Sequence, residues 1–344
     1  MPTQKPLRIG IIGAGAFASR RHLPDVQRDE RTVLAAACRR SPEELKTVAD
    51  HFSIPGRYTD WIEMLDREPL DGVIIATPHD QHALQAIEAM NRGLHVLLEK
   101  PMAITVSDAE RILETAKRTD RTLAVALNAP YWRHTAIMRE GIVEGRIGTL
   151  EYVDICWSGS AAAVFGRVPM PDQMPGIVKP TLFRADPAAN GGGYLFDGGG
   201  HLMSELLWVT NRKPLEVSAM MDNVPDDMRA SINIRLEGGL IAHIGAIGDS
   251  AYAERRIRSA YQGTTGTLTA TGAPFAITWS EVGRHETEKE DQMPNVPSPV
   301  TDWINCILSG QTPRGSQEHG LDVSRLLEAS YVSATTGKTV TLGG

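Results

Sequence analysis

The sequence predicts a doubly wound α/β domain followed by an α+β domain with a large, mostly antiparallel open sheet. Three observations carry this. The first 127 residues alternate short apolar runs with helical stretches. A glycine turn, Gly13-Ala14-Gly15, follows the first apolar run at once. From about residue 128 the runs alternate apolar and polar residues, as a sheet with one solvated face does.

Arg8 to Ile12 reads as the first strand and Val33 to Cys38 as the second. Between Cys38 and the next helix, Ser41-Pro42-Glu43-Glu44 is a start signal. Ser41 caps, Pro42 suits the first helical position, and Glu44 has capping-box spacing. A third strand, Val73 to Ala76, leads through Thr77-Pro78 into a helix from about Asp80 to Asn91, stopped by Gly93. His95 to Leu98 is a fourth strand, followed by Glu99-Lys100-Pro101 and a helix from about Ser107, with Glu110 at capping-box spacing. Leu123 to Leu127 closes the series. Apolar strands each followed by a helix indicate a parallel sheet covered on both faces. The first domain is therefore expected over 1–127 and the second over 128–344.

In the second domain, Ser231 to Leu236 alternates strictly, and Glu237-Gly238-Gly239 reads as a hairpin turn before Leu240 to Ala246. Glu254 to Ala260, Thr267 to Ala270 and Ala276 to Trp279 are further expected strands. Asp302 to Leu308 and Leu321 to Ser333 are expected helices. The segment from Gly159 to Pro187, rich in Gly, Pro and Met, fits a loop or lid.

Composition bounds the function. With 344 residues, 42% of them apolar and 22% charged, the chain reads as an ordinary globular protein. No apolar run reaches the roughly 18 residues of a membrane span. A net charge of −7 argues against nucleic acid as the partner, which requires clustered Lys and Arg. The start shows no export-signal pattern, so the cytoplasm is the expected location. Cys38, Cys156 and Cys306 show no CxxC spacing and read as small buried hydrophobes. No HExxH, CxxC or carboxylate-rich loop points to a metal.

The glycine turn carries the first functional expectation. Gly13-Ala14-Gly15-Ala16-Phe17-Ala18 lies between a strand and a helix, the setting of a Rossmann dinucleotide site. Gly13 permits the tight turn, Gly15 lets the backbone approach a pyrophosphate, and Ala18 keeps helix and strand close. The helix N-terminus offers its N–H groups to the anion. At the end of the second strand, where an NAD site usually carries Asp or Glu, this chain has Arg39-Arg40-Ser41. A guanidinium grips a 2′-phosphate that a carboxylate would repel, so NADP(H) is favoured over NAD(H).

At this point the residues resemble the Gfo/Idh/MocA oxidoreductases. The resemblance covers nearly the whole chain. It rests on the glycine turn, on Ala76-Thr77-Pro78 with His82, and on Gly93 to Pro101 with its Glu99-Lys100-Pro101. It continues with Gly148, with Gly191-Gly192-Gly193 before Asp197-Gly198-Gly199-Gly200-His201, with Gly263 to Leu268, and with Glu328-Ala329-Ser330-Tyr331 and Ser333. Two departures bear on the substrate. Asn128 is followed by Ala129-Pro130 where members often carry Arg, and Ser204 stands where many have Asp.

The resemblance implies hydride transfer between a nicotinamide and a carbohydrate or polyol, with Lys100, Asp197 and His201 as the catalytic group. Lys100 lies just past a parallel strand, where ligands bind in such sheets, and its ammonium suits a developing alkoxide. His201 is a suitable acid/base. Asp197, four residues earlier, is expected to share its helix face and orient it or bond a hydroxyl, while the intervening glycines let the backbone approach the ligand. Cofactor contacts are expected from Gly13, Gly15, Ala16, Phe17, Ala18, Arg39, Arg40, Ser41, Thr77, Pro78, His82, Glu99 and Lys100. Asn128, Tyr131 and Arg184 join Asp197 and His201 on the substrate side, with Asp186 beside them. His22, His51, His243 and His285 read as structural. The second sheet is expected to make homodimer or homotetramer contacts. Two other readings share the fold: an NAD-dependent glycosidase using transient oxidation, and a non-catalytic cofactor-binding regulator. The Asp197-to-His201 spacing counts against the first, and the intact Lys-Asp-His trio against the second.

Overall fold

The computed structural model describes residues 5–252 and 254–343; the expected domain spans also include residues 1–4, 253 and 344, which lie outside them. The N-terminal part runs β1 (Leu7–Ile12), α1 (Ala16–Arg20), α2 (His22–Arg28), β2 (Thr32–Cys38), α3 (Pro42–His51), β3 (Gly56–Tyr58), α4 (Trp61–Arg67), β4 (Gly72–Ile75), α5 (His82–Asn91), β5 (His95–Leu98), α6 (Val106–Thr119) and β6 (Leu123–Val125). The six strands form one parallel sheet in the order β3-β2-β1-β4-β5-β6. The order reverses beside β1, which places a ligand crevice at the carboxyl ends of β1 and β4. Strands such as Gly72–Ile75 are buried on both faces, hence their unbroken apolar runs.

The remainder comprises α7 (Arg133–Val143), β7 (Leu150–Ser158), α8 (Pro187–Asn190), α9 (Gly200–Thr210), β8 (Pro214–Met221), β9 (Arg229–Leu236), β10 (Ile241–Ile247), β11 (Arg256–Gly263), β12 (Gly266–Gly272), β13 (Ala276–Glu281), β14 (Arg284–Lys289), α10 (Pro299–Ser309), α11 (Gln317–Thr336) and β15 (Val340–Thr341). Nine strands form one sheet in the order β14-β13-β12-β11-β7-β10-β9-β8-β15. Only β7 and β10 pair in parallel; every other pair is antiparallel. In β9, Ala230, Ile232, Ile234 and Leu236 face the core and the residues between them face solvent. The expected alternation is thus a one-sided sheet.

Several elements depart from the sequence reading. The helix after β5 starts at Val106, and its cap is Thr105, whose Oγ1 accepts from Asp108 N at 3.1 Å. Ser41 does cap α3, but Glu44 turns to Arg39 instead of closing a capping box. Strands β3, β7, β8, β14 and β15 went unrecognised; β14 is a polar edge strand with no apolar face to betray it. A division at residues 127 and 128 separates the strands of the two sheets, but α10 crosses it. Trp303 of α10 is fully buried against Gly72 of β4, where any β-carbon would lie 2.8 Å from the indole. Thus α10 completes one face of the first sheet together with α2 and α3.

The segment after β7 contains no strand or helix between residues 161 and 182, as expected of a loop. It lies across the glycine turn. A β-carbon on Gly176 would sit 2.8 Å from the Ala16 carbonyl oxygen, and Ile177 N donates to Ser19 Oγ at 3.2 Å.

Candidate active site

The glycine turn is built for close approach. Gly13 has a φ of +91°, and a β-carbon there would fall 2.6 Å from the Ala76 backbone. Gly15 ends the turn as the cap of α1, which leaves the N–H groups of that helix free of any side-chain cap. A dinucleotide pyrophosphate fits this cradle, which a larger residue would fill. Arg39 lies over it, its Nη1 3.0 Å from where a Gly15 β-carbon would be. Its guanidinium is held by Glu44, with Nε at 3.0 Å and Nη2 at 2.5 Å from Oε2. Ser41 Oγ is engaged as the α3 cap.

At the end of β5, Lys100 is nearly buried. Its Nζ donates to Asp197 Oδ1 at 2.8 Å and to the Asp197 carbonyl at 2.9 Å. Arg184 pairs with the other carboxylate oxygen at 2.9 Å, and His79 Nε2 lies 3.7 Å from Oδ1. Burial alone would raise the Asp197 carboxyl, but Arg184, Lys100 and His79 outweigh it and hold it well below the usual range. Asp197 is therefore an anion gripped between two cations.

His201 lies apart from that carboxylate. Its ring stacks on Trp157, with centroids 5.7 Å apart and planes at 23°, and Trp132 lies 6.2 Å away. Asn128 Nδ2 donates to Nε2 at 3.4 Å, and Nδ1 is buried without a partner. Burial, reinforced by the charge of Lys100, holds its pKa well below the ordinary imidazole value, so the ring is neutral at neutral pH.

Three expectations need correction. Asp197 sits in a π-turn, Leu195–Gly199, that precedes α9, so the four-residue spacing does not make it the hydrogen-bond partner of His201. Its oxygens go to Lys100 and Arg184 instead. The glycines between them serve the turn's own packing: β-carbons on Gly198 and Gly199 would strike Tyr194 at 2.7 Å and Leu195 at 2.3 Å. Tyr131 spends its hydroxyl on Asp302 Oδ2 at 3.1 Å and Gly315 N at 2.9 Å, not on a ligand.

Other site residues support rather than present polar atoms. His82 is fully buried, with Nδ1 2.8 Å from the Pro101 carbonyl and Nε2 3.1 Å from that of Thr77, so it ties the Thr77-Pro78 turn to Lys100-Pro101. Glu99 Oε1 meets His22 Nε2 at 2.6 Å, which brings His22 into the supporting shell. Asp186 caps α8 through Ala188 N. Sequence reasoning missed His79, whose Nδ1 donates to the Asn190 carbonyl at 2.8 Å, although it adjoins Thr77-Pro78. It also missed Asp227. This buried carboxylate accepts from Leu195 N at 2.8 Å and Tyr331 Oη at 2.5 Å, and it pins the turn that carries Asp197. Nothing near Asp227 in the sequence marks it.

Residues 7–127 match the family model "Oxidoreductase family, NAD-binding Rossmann fold", and residues 135–269 match the "GFO/IDH/MocA C-terminal domain". The chain is 26% identical to D-apiose dehydrogenase of Paraburkholderia graminis, over 99% of this chain and 91% of that protein. It is 27% identical to D-xylose 1-dehydrogenase (NADP(+)) 2 of Haloferax volcanii, over 98% and 100%. Its fold matches the crystal structure of aldose-aldose oxidoreductase from Caulobacter crescentus complexed with glycerol, with a TM-score of 0.83, 24% identity and coverage of 98% and 100%.

Proposed function

The chain belongs to the GFO/IDH/MocA oxidoreductase family, and from that premise we propose that it transfers hydride between NADP(H), favoured over NAD(H), and a carbohydrate-type CH–OH/C=O group. The observation that carries this reading is Lys100. Its ammonium is fixed by the side chain and backbone of Asp197 at the carboxyl end of β5, and its charge also acts on His201. The named relatives with dehydrogenase activity on D-apiose and D-xylose support the substrate class, and the NADP(+) designation of the latter agrees with Arg39.

The nicotinamide, when bound, supplies the hydride acceptor or donor. Gly13, Gly15, Ala16, Phe17 and Ala18 would hold the pyrophosphate, Arg39, Arg40 and Ser41 the adenosine end, and Thr77, Pro78 and Glu99 the nicotinamide side. Lys100 places its ammonium against the reacting oxygen, where it stabilises alkoxide character and carbonyl polarisation alike. His201 is held neutral with its lone pair on Nε2; the substrate hydroxyl takes the place of the long Asn128 contact at that nitrogen, which accepts the hydroxyl proton in oxidation and returns it in reduction. Asp197 keeps Lys100 and Arg184 in place. The open face of the second sheet leaves Met220 and Ile241 exposed and is the proposed face for a homodimer or homotetramer.

The test is a panel of aldoses, ketoses and polyols, each offered with both cofactors and followed at the nicotinamide absorbance. Net reduction or oxidation with at least one sugar, faster with NADP than NAD, is expected. Sugar cleavage without net absorbance change, or cofactor binding with no turnover, overturns the reading.

A further inference from the structure

The charges around the reaction centre do not balance. Both oxygens of Asp197 are taken by Lys100 and Arg184, and Glu99 beside Lys100 is taken by His22. A further guanidinium, that of Arg255, lies 4.9 Å above the ring of Trp157, the ring that stacks on His201. Arg255 also flanks Gly159, its Cγ 3.7 Å from where a β-carbon would be, at the start of the long loop; Tyr194 Oη is 3.9 Å from the same point. The charge of Arg255 reaches His201, Tyr194 and Arg20. Arg20 in turn is pushed down by burial, by Arg21 and by Arg255. Other arginines meet a carboxylate, as Arg8 does with Glu68 and Arg146 with Glu281 and Glu286. Among the described residues no carboxylate pairs with Arg20, Arg21 or Arg255.

Arg20, over the Phe17 ring of the glycine turn at 5.5 Å, is repelled by both Arg21 and Arg255, and this unpaired positive charge between the glycine turn and Trp157 attracts an anion. A neutral sugar gains nothing from it, whereas an oxyanion removes the repulsion and accepts bidentate hydrogen bonds. We propose that the substrate is an anionic sugar whose carboxylate or phosphate is received by Arg255 and Arg20 while its CH–OH group lies against Lys100 and His201. The inference deepens the sugar-oxidoreductase reading and rests on it.

Binding tests it without requiring turnover. The full chain, with cofactor present, is titrated with D-gluconate, D-glucitol and D-glucitol 6-phosphate, followed by the fluorescence of its tryptophans. One of the two anions is expected to bind about tenfold or more tighter than D-glucitol, and which one does distinguishes carboxylate from phosphate recognition. That advantage should shrink with rising salt and fall about tenfold in Arg255→Gln, with Arg20→Gln acting in the same direction. Equal binding of glucitol and both anions overturns the inference. So does an Arg255→Gln variant that weakens cofactor binding while leaving the anion preference intact. Anion selectivity with no redox turnover of any sugar would instead leave the anion site standing and sink the oxidoreductase reading.

Discussion

Arg39 and Glu44 form a two-point contact at the end of β2, with both Nε and Nη2 of the guanidinium on Oε2 of the carboxylate. The arginine that marks the 2′-phosphate position therefore has a resident anion, and a phosphate must compete with it. Glu44→Gln is expected to tighten NADP(H) binding about tenfold with little change for NAD(H). Arg39→Asp is expected to reverse the preference. Dissociation constants for both cofactors check this; an unchanged ratio in both variants removes Arg39 from the selectivity.

Asp197 is the single anion between Lys100 and Arg184, so Asp197→Asn leaves one nearly buried and one half-buried cation uncompensated. A loss of about 3–5 kcal/mol in stability is expected, together with loss of turnover. Denaturant unfolding at neutral pH measures the first. Wild-type stability would show that the cations find other partners.

Glu205, buried beneath the second sheet and accepting from Tyr261 Oη at 3.2 Å, is pushed up by burial from its ordinary 4.5 to about 7. A carboxyl raised on folding favours the folded state most when protonated. Its contribution is full below pH 4.5 and is lost as pH rises through about 7. Glu205→Gln is expected to lose less Tm than the parent chain between pH 5 and pH 8. Parallel Tm curves for the two proteins contradict the assignment.

Tyr331 on α11 donates to Asp227 and accepts from Gly193 N at 2.9 Å, so one hydroxyl fastens the turn that presents Asp197. Tyr331→Phe leaves a buried carboxylate and an amide short of a partner, at a cost of about 1–3 kcal/mol. If the latch positions Asp197, kcat falls while cofactor affinity holds. A purely structural role would lower stability and leave kcat intact.

Much of this was legible because the signals are local. Gly13 is required because a β-carbon there would fall 2.6 Å from the Ala76 backbone at a φ of +91°, a position that only glycine fills without strain. The strict alternation of β9 announced a one-sided sheet. The spacing of Asp197 and His201 misled because a π-turn precedes α9, and nothing in a run of glycines distinguishes π from α hydrogen bonding. Of the partners of Asp197, His79 and Lys100 come from distant segments and Arg184 from the end of the loop just before it, and only the folded chain shows that they meet on one carboxylate. Asp227 reaches the site by closing a loop between β8 and β9 and leaves no pattern in its own neighbourhood.

Hydride transfer depends most directly on Lys100. Lys100→Met, carrying a saturating cofactor and a sugar substrate identified from the panel, should be followed in a single turnover at the nicotinamide absorbance. Cofactor affinity within about twofold of the parent chain is expected, with hydride transfer slowed by about 100-fold to 1000-fold, the scale of losing a charge-stabilising donor. Hydride transfer at the parental rate would contradict the assignment of Lys100 to the reacting oxygen.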